Sequence, residues 1–167
     1  TAGKGRRRRA WSSLRGNLMA SYLCRADRPP SEVALLGFAA ALAIAETFDH
    51  YLGAARARLK WPNDVLIEGA KASGILLESG TQAGQPWAAL GLGVNLAAAP
   101  QGLDQKTICL RELLAPDAPA PLPLAFLGRL RASLEGLDAR LAQQGFEPIR
   151  NAWLARARGL GQGERVT

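Results

Sequence analysis

Apolar positions in the first third of the chain predict a strand followed by a helix. Residues 18–24 are typical of a strand, which the segment Asp27-Arg28-Pro29-Pro30 ends. Ser31 is a suitable N-cap, and Glu32 complements the positive end of the helix dipole. Helical spacing then continues up to Gly53, through Val33, Leu36, Ala40, Ile44 and Phe48. We expect this helix to cover one face of a sheet.

Shorter apolar runs separated by turn residues predict more of that sheet. In chain order these are a strand at 57–60, the turn Pro62-Asn63-Asp64, and a hairpin that joins 65–68 to 72–78 through Gly69-Ala70. Lys71 follows directly after the bend of the hairpin. The pattern therefore places a charged side chain beside a tight turn.

The next predicted strand, from Trp87 to Leu96, contains two glycines, Gly91 and Gly93. A glycine inside a strand usually marks the close approach of a ligand or of another backbone. The segment Gly93-Val94-Asn95 is therefore a candidate site. The alternative is a β-bulge or a tight crossing within the sheet.

The last third of the chain is predicted to be mainly helical. An irregular loop after Pro100 and a Pro/Ala-rich connector at 115–123 precede helical patterns at 124–141 and 148–158. The first helix carries an apolar stripe, which is typical of a core face: Leu127, Leu130, Leu134, Leu137 and Leu141. Residues 159–167 indicate only the start of a small strand-like segment.

Length and composition indicate one globular domain. The chain has 167 residues, of which 48% are hydrophobic, and no uncharged apolar run reaches the length of a membrane span. It opens at Thr1 without an apolar signal core, so we expect a cytoplasmic protein without a membrane partner. Cys24 and Cys109 lack metal or redox spacing, so we interpret both as reduced, buried side chains and expect no zinc.

Positive charge is concentrated at the start of the chain. The net charge is +7, and six of the 21 basic residues lie in the first fifteen positions: Lys4, Arg6, Arg7, Arg8, Arg9 and Arg15. Such a run is compatible with a solvated surface, with nucleic-acid binding, or with a loop that closes over phosphate. The single histidine, His50, has no accompanying serine or cysteine motif, so hydrolytic triads are poorly supported. Chemistry is left to Lys, Arg, Asp and backbone groups.

Two motifs combine in a specific order. Gly3-Lys4-Gly5 precedes the arginine run and Trp11, and the segment 60–65, Lys-Trp-Pro-Asn-Asp-Val, is followed by Lys71 and Gly74-Ile75-Leu76. With the Gly-x-Gly-x-Asn strand, this order resembles the catalytic domain of biotin protein ligases. The resemblance implies an α+β fold with a mixed, mainly antiparallel sheet and helices on one face, related to class II aminoacyl-tRNA synthetases.

The family resemblance also implies an activity and a set of binding residues. Biotin and ATP would form biotinyl-5′-AMP, and biotin would then pass to a lysine of a biotin carboxyl carrier protein. An apolar slot with a few backbone hydrogen bonds suits biotin. The residues implied for it are Gly3, Lys4, Trp11, Gly74, Ile75, Leu76, Gly91 and Gly93.

The implied catalytic residues are Lys71, Arg6 and Asp64. Lys71 would bind the biotin carboxylate and the α-phosphate, where its charge stabilises the developing anion. Asp64 would help to position Mg²⁺ or accept a proton from the acceptor amine. The residues implied for ATP or the adenylate are Arg6, Arg7, Arg9, Asn63, Lys71 and Asn95. The three arginines belong to a loop that would close over the nucleotide and exclude water.

The chain departs from the family pattern in two places. Arg8 stands where the family often has glycine, so the loop has one flexible point fewer. The family also carries an upstream Ser-Thr-Asn segment that binds the ureido ring, whereas this sequence begins at Thr1. We therefore expect a fragment, with a catalytic domain at 1–158 and the start of a small SH3-like domain at 159–167.

Other functions remain open from the sequence. A lipoate-type ligase of the same superfamily would share the chemistry, and a nucleic-acid-binding module would use the arginine run. Outside the first fifteen residues, however, 15 basic residues face 14 acidic ones, so no extended basic surface is predicted and a nucleic-acid partner is not expected. A non-catalytic relative that binds biotin or the carrier protein, and a homodimer, also stay open.

Overall fold

A computed structural model describes residues 3–5, 10–25 and 30–159 of the chain. The first strands are β1 (Gly3–Lys4), β2 (Ala10–Trp11) and β3 (Leu18–Arg25), followed by the helices α1 (Pro30–Val33) and α2 (Leu36–Leu52). The remaining strands are β4 (Ala57–Lys60), β5 (Asp64–Ile67), β6 (Ala70–Gln82) and β7 (Gln85–Val94). A 3₁₀ turn at Leu110–Leu113 precedes α3 (Pro123–Gln144) and α4 (Glu147–Arg156).

The main sheet has five strands in the order β3-β7-β6-β5-β4, and its neighbouring strands pair antiparallel. Tight turns join its hairpins. Glu68 and Gly69 have positive φ angles of 52° and 81° between β5 and β6, as do Ala83 (49°) and Gly84 (76°) between β6 and β7. Such turns match the twist of antiparallel hairpins. The predicted hairpin with Lys71 just past its bend is confirmed.

The helices cover one face of the sheet, which confirms the predicted α+β class. Helix α2 is buried along ten of its 17 residues and ends at Gly53 in the left-handed conformation. Its buried side chains share one apolar core with alternate strand residues, which include Ile75, Leu92 and Val94. On α3, Leu130, Leu134, Leu137 and Leu141 of the predicted stripe are buried, while Leu127 is partly buried. None of the helices in the described ranges is long and apolar enough to cross a membrane.

The prediction of one helix starting at Ser31 is wrong in its first turns. The amides of Leu35 and Gly37 bond to carbonyls three residues earlier, those of Glu32 and Ala34, so a turn separates α1 from α2. The N-cap of α2 is Leu35, which makes no side-chain cap. Val33 and Leu36 are both buried, and their spacing of three residues fits this tighter geometry as well as an α-helix.

Asp49 connects three elements at the end of α2. Its Oδ1 accepts hydrogen bonds from the amides of Arg56 and Ala57, each at 2.9 Å, at the start of β4. Its Oδ2 lies 2.5 Å from Nη1 of Arg156 in α4, and the Asp49 side chain is only 12% exposed. One carboxylate therefore satisfies two backbone donors and a guanidinium.

We predict that Asp49→Ala lowers the free energy of unfolding by about 3 kcal/mol, since it leaves a partly buried guanidinium and two amides without their acceptor. Urea denaturation measures this change. Glu46→Ala is the matched control: Glu46 is exposed on the same helix and accepts one bond from Ser133 at 2.6 Å, so its loss should cost less than about 0.5 kcal/mol. Equal costs for the two variants would contradict a clamping role for Asp49.

Candidate functional site

The face of the sheet that points away from α2 is unusually low in side chains near its centre. Gly74 on β6 pairs with Gly93 on β7, and Leu76 pairs with Gly91. Because side chains alternate along a strand, Gly74, Leu76, Gly91 and Gly93 share this face, which we call the glycine face. Ile75 lies between two of them and points to the core, where it is 4% exposed.

Trp11 lies directly against the glycine face. A Cβ atom at Gly93 would be 2.5 Å from Cζ2 and 2.8 Å from Nε1 of its indole, and one at Gly74 would be 2.9 Å from Cζ3. Glycine is therefore required at both positions for the indole to reach the strand backbone. The indole Nε1 is buried and makes no hydrogen bond within the described part of the chain.

The base of the arginine loop holds Trp11 in place. Gly3 pairs with Trp11 and Lys4 with Ala10 in the two-stranded ribbon formed by β1 and β2. A Cβ at Gly3 would lie 3.0 Å from the Cβ of Trp11, a tight contact that would press on the tryptophan. The predicted loop residues Arg6, Arg7, Arg8 and Arg9 lie outside the described residues, as does the side chain of Lys4.

Lys71 and Asp64 form an ion pair beside the indole. The Lys71 ammonium lies 2.5 Å from Asp64 Oδ1, an ion pair rather than a well-aligned hydrogen bond, and the two side chains are 21% and 14% exposed. The same ammonium is 5.7 Å from the centroid of the Trp11 ring, within the range of a cation–π contact. A cation is therefore held at the edge of an apolar surface.

Asn63 fixes the turn that presents Asp64. Its Nδ2 donates to the carbonyl of Ile75 at 2.7 Å, and its own carbonyl accepts from the Ile75 amide at 2.9 Å. The turn is thereby tied to the centre of β6. Ile75 contributes its backbone on this side, while its side chain, predicted to line the biotin slot, packs in the core on the other side of the sheet.

Asn95 is buried and forms hydrogen bonds inside the protein. The residue is 1% exposed, and its Nδ2 donates to the carbonyls of Lys71 at 3.4 Å and Ile108 at 3.2 Å. A second buried asparagine, Asn17, donates to Asn95 Oδ1 at 3.4 Å. The sequence offered little signal for Asn17, because an asparagine after Gly16 and before a strand is ordinary turn chemistry.

The structure thus brings together Gly3, Trp11, Asp64, Lys71, Gly74 and Gly93, with Leu76 and Gly91 next to them on the same face. In the described ranges, no three His, Cys, Asp or Glu side chains are grouped to hold a metal ion. Mg²⁺ at nucleotide sites is commonly bound by one or two carboxylates together with substrate phosphates, and the Mg²⁺ role of Asp64 stays a prediction.

Two other features do not belong to this group of residues. A cavity of about 660 Å³ opens between α2 and α3, on the helical side of the sheet, and is lined in part by His50 and Arg129.

Cys109 is 2% exposed and forms no disulfide within the described residues. Its burial, together with a hydrogen bond to Glu112, raises its pKa to about 11. It therefore stays a neutral thiol at pH 7, whereas the side chain of Cys24 lies outside the described residues.

Comparison with known proteins gives a consistent result. Residues 1–95 match the biotin/lipoate A/B protein ligase family. A biotin–(acetyl-CoA-carboxylase) ligase of Paracoccus denitrificans is 40% identical over 96% of this chain and 69% of its own length. A protein with the same activity in its name, from Mycobacterium tuberculosis, is 35% identical over 99% of this chain and 60% of its own length.

Solved structures share the fold. The biotin protein ligase of Aquifex aeolicus in complex with biotin and ATP has a TM-score of 0.76 at 22% identity, over 93% of this chain and 64% of that one. The Leishmania major enzyme in complex with biotinyl-5-AMP has a TM-score of 0.78 at 22% identity, over 94% and 67%. This chain therefore spans between 60% and 69% of the length of these four proteins.

We predict that Gly93→Ala displaces the Trp11 indole and lowers the free energy of unfolding by about 1–3 kcal/mol, the usual cost of overpacking. Gly91→Ala is the matched control, because a Cβ there would meet Leu76 at 3.5 Å, an ordinary contact. Urea denaturation and the NMR signal of the Trp11 indole N–H measure the two effects. An unmoved indole signal in Gly93→Ala, or equal shifts in both variants, would disprove the close contact.

Proposed function

Because this chain belongs to the biotin/lipoate A/B protein ligase family, we propose that its protein activates biotin with ATP and transfers it to a lysine of an acceptor protein. The observation that carries this proposal is the position of Lys71 at the edge of the glycine face, beside Trp11 and Asp64. A fused apolar ring system with a carboxylate tail needs an apolar surface that ends at a cation.

In the first step, a carboxylate oxygen of biotin attacks the α-phosphorus of ATP. The bond from that phosphorus to the bridging oxygen breaks, so biotinyl-5′-AMP and pyrophosphate form. Two anions must approach each other for this attack, and in this proposal the Lys71 ammonium lies between them. A preorganised cation at that point stabilises the charge that develops at phosphorus.

The Asp64 carboxylate holds the Lys71 ammonium before substrates bind. The ion pair at 2.5 Å balances the charge of the ammonium and orients it. Substrate anions then compete for the same ammonium, which leaves Asp64 adjacent to the reacting groups. From this position it is suited to accept the proton of the acceptor amine in the second step, which is one of the two roles that the family resemblance implies for it.

In the second step, an acceptor lysine amine attacks the acyl carbon of biotinyl-5′-AMP. The amide bond forms, AMP leaves and the amine loses its proton. Biotinyl-5′-AMP is a mixed anhydride that water hydrolyses, so a closed site favours transfer over loss. The paired ends of the arginine loop, at Gly3–Lys4 and Ala10–Trp11, start at the glycine face, which supports the predicted covering role of Arg6, Arg7 and Arg9.

The relatives favour biotin over lipoate as the substrate. The two relatives above are named for biotin transfer to acetyl-CoA carboxylase, and the two structural neighbours hold biotin with ATP or biotinyl-5-AMP. We infer that the acceptor is the biotin carboxyl carrier domain of such a carboxylase. We further propose that the catalytic domain comprises residues 1–158 and that a small domain follows from 159. In this proposal, Mg²⁺ binds together with ATP.

We predict that Lys71→Ala lowers the rate of biotin-dependent pyrophosphate release by about 10²- to 10³-fold, since it removes a preorganised charge from the developing anion. The assay uses the full-length protein with biotin and ATP, and circular dichroism confirms folding. Replacement of biotin by lipoate in the same assay tests the alternative substrate.

Arg131→Ala is the matched control, because it removes one cation from α3 on the helical side, where the side chain is 69% exposed. Its rate should stay within about twofold of the parent, as for other exposed ion pairs. A folded Lys71→Ala protein with a parental rate would show that Lys71 is an ordinary lysine and would refute the mechanism.

A further inference from the structure

Asn17, at the start of β3, uses its whole side chain for internal hydrogen bonds. Its Oδ1 accepts from three successive amides, those of Leu96 (3.0 Å), Ala97 (3.0 Å) and Ala98 (3.1 Å). Its Nδ2 donates to the carbonyl of Ala98 at 2.8 Å, and the residue is 6% exposed. The amide therefore determines the path of the chain as it leaves β7.

A second set of hydrogen bonds continues from Asn17 to Lys71. Asn17 Nδ2 lies 3.4 Å from Asn95 Oδ1, and Asn95 Nδ2 donates to the carbonyls of Lys71 and Ile108. The Asn95 amide also donates to the carbonyl of Ala72 at 2.9 Å. Asn95 thus connects the end of β7 to the successive carbonyls of Lys71 and Ala72.

The backbone of Lys71 lies between β5 and the segment after β7. On one side it pairs with Leu66 of β5, next to a shift in register between Val65 and Leu66. On the other side it donates its N–H to the carbonyl of Lys106 at 2.8 Å and accepts from the amide of Ile108 at 3.0 Å. The segment after β7 therefore fixes where the Lys71 side chain starts.

We propose that Asn17 is a positioning residue for Lys71, acting through Asn95 and the segment 96–108. The catalytic consequence of this inference rests on the function proposed above. Asn17 has no contact with the Lys71 side chain among the hydrogen bonds described, so its effect passes through the backbone. A displacement of about 1 Å in a catalytic group can cost about 10²-fold in rate.

Asn17→Asp tests the connection because it keeps the Oδ1 acceptor and the size of the side chain. It replaces the Nδ2 donor by an oxygen that faces the Asn95 and Ala98 oxygens, so the connection to Asn95 breaks while the three amide bonds remain. Thr47→Val is the control: it removes a buried hydrogen bond, from Thr47 Oγ1 to the Ala43 carbonyl at 2.7 Å, within α2.

Two measurements on the full-length protein decide the inference. In NMR hydrogen exchange without substrates, Asn17→Asp should speed exchange of the Lys71 and Ile108 amides at least tenfold, and Thr47→Val should not. In pyrophosphate release with biotin and ATP, Asn17→Asp should lower the rate at least fivefold in the parent and less than twofold in Lys71→Ala, since one residue acts through the other.

The outcomes separate this inference from the proposed function. Unchanged exchange at Lys71 in Asn17→Asp overturns the positioning role, and so does a full rate loss on top of Lys71→Ala. A parent protein that releases no pyrophosphate with biotin overturns the proposed function, while hydrogen exchange still tests whether Asn17 holds the Lys71 backbone.

Discussion

The close contact of the Trp11 indole with the backbone of Gly74 and Gly93 is the constraint on which the site depends. Neither strand can carry a side chain at these points without displacing the indole. The indole in turn gives the Lys71 ammonium an aromatic neighbour at 5.7 Å, and its own strand forms the base of the arginine loop. An aromatic side chain, a cation and the paired strands that flank the arginine run therefore meet at one pair of glycines.

The two faces of the sheet serve different purposes. The face toward α2 provides stability through a continuous apolar core, with Asp49 joining α2, β4 and α4 at one end. The glycine face adds little to that core, so its residues are less constrained by packing. The different roles of the two faces explain why Ile75 and Leu76, although adjacent and similar, have different surroundings. One packs under α2, and the other pairs with Gly91 on the open side.

The elements, and the grouping of Lys71, Asp64 and the glycines, could be predicted from the sequence better than the orientation of individual residues. Lys71, Asp64 and the glycines could be predicted because charge at a turn and glycine inside a strand have direct physical meanings. The side on which Ile75 lies could not, since the run Ile75-Leu76-Leu77 is apolar on both faces. The position of Asn95 depends on hydrogen bonds to residues 13 and 24 positions away, and Asn17 reaches residues about 80 positions away. Local pattern carries no information on such partners.

NMR chemical-shift mapping of a biotin titration into the full-length protein tests the central claim most directly. If the glycine face binds biotin, the amide signals of Lys71, Gly74, Gly91 and Gly93 and the indole signal of Trp11 should shift together. Signals from the cavity between α2 and α3, such as those of His50 and Arg129, should stay in place. Shifts confined to that cavity, or a response of the glycine face to lipoate but not to biotin, would contradict the account.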